Sequence, residues 1–280
     1  MTIRPIPANP GPAAVPGSQA DELKSCCAAA YSTDAVALLL GASYHPGGLR
    51  LTRRLADVLG LSEGRSVLDI ASGPGTTARL LASEYGAAVD GVDLGEDAVR
   101  GAQEATAEAG LADRVRFLHG DAEHLPVPDA AYDALVCECA FCTFPDKATA
   151  AAEFARVLRP GGRVGITDVT LAPHGLPEEL AGIAGWVACI ADARPAEEYG
   201  ALLRDAGLRP VRMERHDAAV GRMIDQIDAR MAVLRMTAPD RLSTAGVDPG
   251  AVTPYLRAAR RAVDEGVIGY TLIVAEKAVE

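Results

Sequence analysis

The sequence predicts an α/β protein built on a doubly wound, seven-stranded sheet. Three observations carry that expectation. From residue 66 onward, short apolar runs alternate with helix-length amphipathic stretches, the pattern of successive βαβ units. The first unit, Ser66-Val67-Leu68-Asp69-Ile70-Ala71-Ser72-Gly73-Pro74-Gly75-Thr76, joins a buried strand to a helix through a glycine turn. Acidic residues then stand at or just beyond the carboxyl ends of successive strands, at Asp69, Asp93 and Asp121. Open α/β sheets bind ligands at those ends.

Taken in order, residues 1–20 are rich in proline, alanine and glycine without a continuous apolar stretch, and read as a disordered tail. Glu22 to Leu40 holds one or two helices broken at Gly41, and His45-Pro46-Gly47-Gly48 is a turn. Leu49 to Leu59 is a helix with Leu51, Leu55, Val58 and Leu59 on one side and Gly60 as its stop. The first strand is Val67 to Ile70, and its helix runs from Thr76 to Ser83. The second strand spans Ala87 to Val92 and ends at Asp93; the helix Ala98 to Ala109 follows. Val115 to His119 is the third strand and Tyr132 to Cys139 the fourth. Ala148 to Leu158 is a helix ended by Arg159-Pro160-Gly161-Gly162, and Arg163 to Asp168 is the fifth strand. Ala181 to Ile190 and Pro195 to Ala206 are helical, Leu208 to Arg215 is the sixth strand and Gly269 to Glu276 the seventh. Between these last two lie helical patterns at Ala218 to Met236 and Thr253 to Asp264, a second lid or an oligomer contact.

The composition narrows the function. With 38 acidic against 27 basic residues the net charge is −11, which argues against a nucleic-acid or anionic-membrane surface. No run of eighteen apolar residues is present, so no membrane span is expected. Six cysteines in a chain of cytoplasmic character point to ligands or catalysts rather than a disulfide frame.

The turn at 72–75 lets the backbone approach a ligand closely, ahead of a helix whose first N–H groups are free. The dinucleotide fingerprint wants a third glycine where this chain has Ala78. Asp69, just before the turn, repels a phosphate and suits a cation. The stretch resembles the first motif of the class I S-adenosylmethionine (SAM) methyltransferases, whose sulfonium and ammonium fit such an acidic loop. Asp93 stands where a carboxylate accepts the ribose hydroxyls. Asp121-Ala122 stands where this family holds the adenine edge, and Leu158 to Gly162 resembles a late family motif. The resemblance implies SAM as methyl donor, a Rossmann-like core, and a cofactor site of Asp69, Ser72, Gly73, Gly75, Asp93, Leu94, Asp121, Ala122 and Glu138. It divides the chain into the tail, a helical lid over 21–60, a SAM-binding core over 61–217, and a helical insertion with the final strand over 218–280.

The cysteines carry a narrower resemblance. Glu22-Leu23-Lys24-Ser25-Cys26-Cys27 looks like the N-terminal double-cysteine segment of arsenite methyltransferases. Cys139, in a Cys-x7-Lys stretch ending at Lys147, falls at one arsenic-binding cysteine of that family, and Cys189, before Glu198-Tyr199, at the other. What this implies is methyl transfer to As(III) held by Cys139 and Cys189, with Cys26 or Cys27 closing from the lid. Soft trivalent arsenic prefers thiolates, and its lone pair attacks the methyl without a general base. A metalloid or other small-molecule acceptor and a thiol reductant are the partners expected, with no nucleic acid and no membrane. Lys24 and Lys147 are candidate electropositive neighbours for the thiolates, or else solvated surface lysines. Cys137 reads as a small buried hydrophobe.

Two features depart from that family: Tyr44 to Gly48 has no thiol where a further cysteine is usual, and the insertion before Gly269 is long. Two alternatives stand beside it. One is an O-, N- or C-methyltransferase of secondary metabolism, marked by an ordered base in a carbon-lined pocket. The other is a non-catalytic thiol-based metal- or metalloid-binding protein. His45, His119, His124, His174 and His216 are scattered; His124 and Asp168 are candidate bases. Trp186 and Tyr199 are packing or pocket residues, and Tyr31 and Tyr44 belong to the lid.

Overall fold

Strands that are apolar on both faces must be covered on both sides, and the chain achieves this by alternating them with helices. The computed structural model describes residues 24, 28–29, 31, 33–41, 43–173, 175–176, 180, 190 and 192–279. The tail over 1–20, Cys26, Cys27, His174, Trp186, Cys189 and most of the helix expected over 181–190 lie outside them.

The helices α1 (Asp34–Leu40) and α2 (Gly48–Leu59) precede the sheet. There follow β1 (Ser66–Ile70), α3 (Thr76–Tyr85), β2 (Ala88–Asp93), α4 (Glu96–Glu108), β3 (Val115–His119) and β4 (Tyr132–Glu138). Then come α5 (Lys147–Val157), β5 (Leu158–Leu171), α6 (Ala196–Asp205) and β6 (Leu208–Arg215). The insertion holds α7 (Asp217–Thr237), α8 (Pro239–Thr244) and α9 (Pro249–Asp264), and β7 (Ile268–Lys277) closes the fold. The sheet order is β3-β2-β1-β4-β5-β7-β6. Its first five strands pair in parallel, and β7 is antiparallel to both β5 and β6. This is the doubly wound, Rossmann-like architecture expected, and strand order reverses between β1 and β4.

The core sits where the apolar runs cross. Val67, Leu68, Ile70, Leu135, Val164 and Ile166 are fully buried in adjacent strands. Leu51, Leu55, Ala56 and Leu59 form the inner stripe of α2, and Leu55 lies over β5, in contact range of Gly165.

Three features differ from expectation. Arg159 to Gly162 belong to β5, which runs on past Asp168 to Leu171. Antiparallel pairing with β7 continues from Arg163 opposite Glu276 to Leu171 opposite Ile268. Lys277 Nζ ties the strand's start down by donating to the carbonyls of Ala155 and Leu158 at 2.7 and 2.8 Å. The insertion forms three helices instead of two, because Pro239 and Pro249 each restart a helix at its first turn. Finally, α1 packs on the insertion: Ala35 and Leu39 share a small separate core with Met231, Leu234, Leu242 and Val247. Among the described residues no helix is long and apolar enough to cross a membrane.

Candidate active site

A cavity of about 500 Å3 opens at the carboxyl ends of β1, β2 and β4, the reversal point of the sheet. Asp69, Ser72, Gly73, Asp93, Leu94, Asp121, Ala122 and Glu138 all line it. Gly75 does not: at φ +72° it lies behind the turn, against the Phe117 ring. Ala71 (φ +54°) and Cys139 (φ +56°) flank the crevice. A non-glycine residue there is uncommon, and the pair turns the chain sharply as it leaves β1 and β4. Cys139 thus lies one residue beyond its strand, and its N–H donates to the Thr167 carbonyl at 2.6 Å.

The floor of the crevice is strongly acidic. Asp69 is 2% exposed, and its Oδ2 has no hydrogen-bond partner. Burial pushes its carboxyl well above the usual range, and Glu138 and Asp93 push it further. Asp93 accepts from the Gly73 N–H at 2.7 Å and the Gly95 N–H at 2.8 Å. Burial outweighs those two bonds and leaves its carboxyl raised. Ser72 Oγ is a further buried hydroxyl without a partner. At the other end Lys24 bridges Asp121, at 2.7 Å, and Glu123. Burial lowers that ammonium, but the hydrogen bonds to the two carboxylates outweigh it and hold it raised.

These groups fit SAM. A buried carboxylate with one oxygen unpartnered, beside two more acids, favours a cation, which the sulfonium and ammonium supply. Asp93 keeps lone pairs for a ribose diol, and Ser72 Oγ is in place for a polar edge.

A second group of polar side chains meets the crevice where α2 crosses β4. Glu138, its side chain 4% exposed, accepts from Thr77 Oγ1 at 2.7 Å and Thr52 Oγ1 at 3.0 Å. The His45 ring, also buried, puts Nε2 3.5 Å from Glu138 Oε2 and 3.3 Å from Thr52 Oγ1. Its Nδ1 is 3.4 Å from the Pro46 carbonyl. His45 lines the crevice together with Tyr31 and Tyr44. This pairing escaped the sequence reading, which noted the turn at 44–48 for its missing thiol. The available signal was a histidine three residues before the start of an amphipathic helix whose inner face carries Thr52.

Other candidates fall elsewhere. His124 is exposed, outside the crevice lining. Asp168, fully buried inside β5, is no base for the crevice either: it accepts from the N–H groups of Cys142 and Val169 at 2.9 and 2.7 Å. Burial pushes its carboxyl up to about 6 against those bonds. Lys147 is no surface lysine: it is buried, donating to Phe144 O at 3.0 Å and Asp192 Oδ2 at 2.5 Å. Tyr199 is packing, fully buried with its hydroxyl on the Val169 carbonyl. Cys137 is fully buried and its thiol is pushed well up by burial, then by Asp168 and Asp69. Cys139 alone of the four thiols expected at the acceptor falls among the described residues, and it lines the crevice. Among the described residues no group of three or more His, Cys, Asp or Glu is arranged to hold a metal ion.

Comparison with known proteins agrees with this geometry. Residues 67–162 match the family model of a methyltransferase domain. The 27-O-demethylrifamycin SV methyltransferase of Amycolatopsis mediterranei is 36% identical over 163 residues, 58% of this chain and 60% of that protein. The arsenite methyltransferase of Halobacterium salinarum is 33% identical over 165 residues, 56% of this chain and 40% of that protein. The chain thus spans about three fifths or less of the length of these curated relatives. Among solved structures the cyclase SpnF aligns with a TM-score of 0.68 and 25% identity, over 94% of this chain and 96% of that one. A cyclase on the same scaffold shows that the fold does not name the reaction. The segment 67–162 is thus similar to a methyltransferase domain, and the acidic crevice at the reversal point of the sheet offers the groups that SAM, the methyl donor of such domains, requires.

Proposed function

We propose that the protein transfers a methyl group from SAM to a hydroxyl of a small organic acceptor, with His45 receiving the proton. The observation that carries this reading is the His45–Glu138 contact in the crevice wall. SAM supplies an electrophilic methyl group on a sulfonium. An acceptor hydroxyl is a weak nucleophile until its proton leaves, so a base within reach is worth roughly 10²–10⁴ in rate. In the imidazolium both ring nitrogens are donors, and each here faces an acceptor, Glu138 Oε2 on one side and the Pro46 carbonyl on the other. Both contacts are longer than a good hydrogen bond, which leaves the ring able to take up an incoming hydroxyl. The Glu138 carboxylate favours positive charge on the ring, and burial of the site strengthens that attraction. The rifamycin relative, named for an O-methylation, supports a hydroxyl acceptor. Incubating the protein with methyl-labelled SAM and a panel of phenols, alcohols and amines tests the reading; label confined to nitrogen acceptors would count against it.

A second reading keeps one observation of its own. Cys139 lines the same crevice, and a relative carries the name arsenite methyltransferase. In that reading Cys139 and Cys189, with Cys26 or Cys27, hold As(III) as thiolates and no base is needed. Including arsenite with a thiol reductant in the same panel separates the two.

A further inference from the structure

A second cavity, of about 450 Å3, lies between the end of α1, the turn before α2 and the first half of α7. Three arginines line it, Arg50, Arg222 and Arg230, and among the described residues no acidic side chain does. That is unusual in a chain with 38 acidic and 27 basic residues. Other arginines of the chain face carboxylates, as Arg53 does Glu84, Arg54 Glu214 and Arg116 Asp90. Among the described residues none of the three lining arginines forms an ion pair; Arg230 donates from Nη1 to the Leu39 carbonyl at 2.5 Å, which engages one nitrogen of its guanidinium and leaves the other donors. Ser43 and His45 belong to the walls of both cavities, so a molecule held by the arginines meets the SAM crevice at His45. Ser43 Oγ, between the two, is buried without a partner.

We infer that this cavity anchors the acceptor through an oxyanion, a carboxylate or a phosphoryl group, while the acceptor's hydroxyl end reaches His45. The inference rests on the reading of His45 above. Guanidinium groups suit such oxyanions because they donate in a planar fork. The acidic SAM crevice repels the same group, so the two cavities sort the two substrates by charge: the cation enters one and the anion the other.

The test is calorimetric and needs no turnover. The full-length protein, saturated with S-adenosylhomocysteine to fill the first crevice, is titrated with phenyl phosphate, benzoate and neutral benzyl alcohol. Phenyl phosphate or benzoate, or both, should bind, more weakly as salt is raised, and the tighter of the two identifies the oxyanion. The exposed pair Arg50→Gln, Arg222→Gln should lower that affinity about tenfold or more, with S-adenosylhomocysteine binding and the circular dichroism spectrum unchanged. Failure of both anions to bind overturns the inference, as does equal binding by benzyl alcohol or unaltered anion affinity in the variant. Because the readout is binding, loss of methyl transfer in a His45 variant leaves this result readable, and the converse also holds.

Discussion

His45 Nε2 stands 3.5 Å from Glu138 Oε2, joining the turn that precedes α2 to the carboxyl end of β4. The contact depends on α2 lying flat over the sheet, with Thr52 as the hydroxyl between ring and carboxylate. His45→Ala and His45→Asn should therefore lower the rate with a hydroxyl acceptor by roughly 10²–10⁴ and leave SAM affinity near that of the parent. The pH profile distinguishes this from a structural role. Loss of a base removes the acidic limb of the profile, whereas a packing defect lowers the rate evenly at every pH.

Asp93 ties together the turn after β1 and the end of β2, and we propose that it also accepts the ribose hydroxyls of SAM. Its two carboxylate oxygens hold the amides of Gly73 and Gly95. Asp93→Ala removes both acceptors and should weaken SAM binding by about 1–3 kcal/mol, measured by calorimetry. Asp93→Asn keeps one acceptor oxygen and should fall between. Unchanged affinity in the alanine variant would remove Asp93 from the cofactor site.

Asp168 gives a pH signature to the fold itself. Its native carboxyl is pushed up to about 6 by burial, against roughly 3.9 for an unfolded aspartate. A raised carboxyl pKa means that the native state keeps a proton the unfolded chain has released. The corresponding stability is complete below about pH 4 and is lost as pH rises through about 6, on the order of 3 kcal/mol in all. Urea midpoints between pH 4 and 7 should show this fall, and Asp168→Asn should flatten it. An equal slope in that variant would assign the dependence to another acid, of which buried Asp69 is the first candidate.

The strands and the acids that end them were legible because a buried parallel strand and a tight glycine turn leave few alternatives in sequence. Val115–His119 and Leu208–Arg215 occupy the ranges the pattern implied. What depends on contact between distant segments was not legible. The β5 extension follows from pairing with β7, and the seat of α1 follows from α7. Lys24 offered no sign in sequence of its reach to Asp121 and Glu123, nor His45 of its meeting with Glu138. A single polar residue carries no period, so only the tertiary fold reveals its partner.

Gly91 illustrates how narrow the crevice floor is. A Cβ on Gly91, in the middle of β2, would collide with the Phe117 ring and stand 2.9 Å from Ser72 Oγ. Gly91→Ala should cost about 1–3 kcal/mol by overpacking and weaken SAM binding through the displaced Ser72. Adding Phe117→Leu to Gly91→Ala should recover part of the stability, seen as a raised thermal midpoint over the single variant. Additive losses in the double variant would show that ring and β2 are not in contact.

The cysteines decide between the two acceptor readings. If thiolates hold As(III), Cys139→Ser and Cys189→Ser should each abolish arsenite methylation while SAM still binds. A serine hydroxyl matches the thiol approximately in size but is a hard, protonated ligand that cannot replace a soft thiolate. If the acceptor is organic and His45 is the base, the same serine variants should keep most of their turnover with it. Their cost should then appear as modest stability changes, largest where the thiol is enclosed. Cys137→Ser is the control, since that side chain is fully buried and its thiol is held protonated by burial and by Asp168 and Asp69. It should act through stability in either case. Cys139 has a second handle: it adopts φ +56°, a conformation glycine tolerates without strain. Cys139→Gly should therefore relieve backbone strain and raise or preserve the thermal midpoint. With an organic acceptor that variant remains active; with As(III) it loses a ligand and is inactive. Full arsenite methylation by a Cys139→Ser, Cys189→Ser double variant would leave the thiolate reading without support and the base-assisted transfer as the one to pursue.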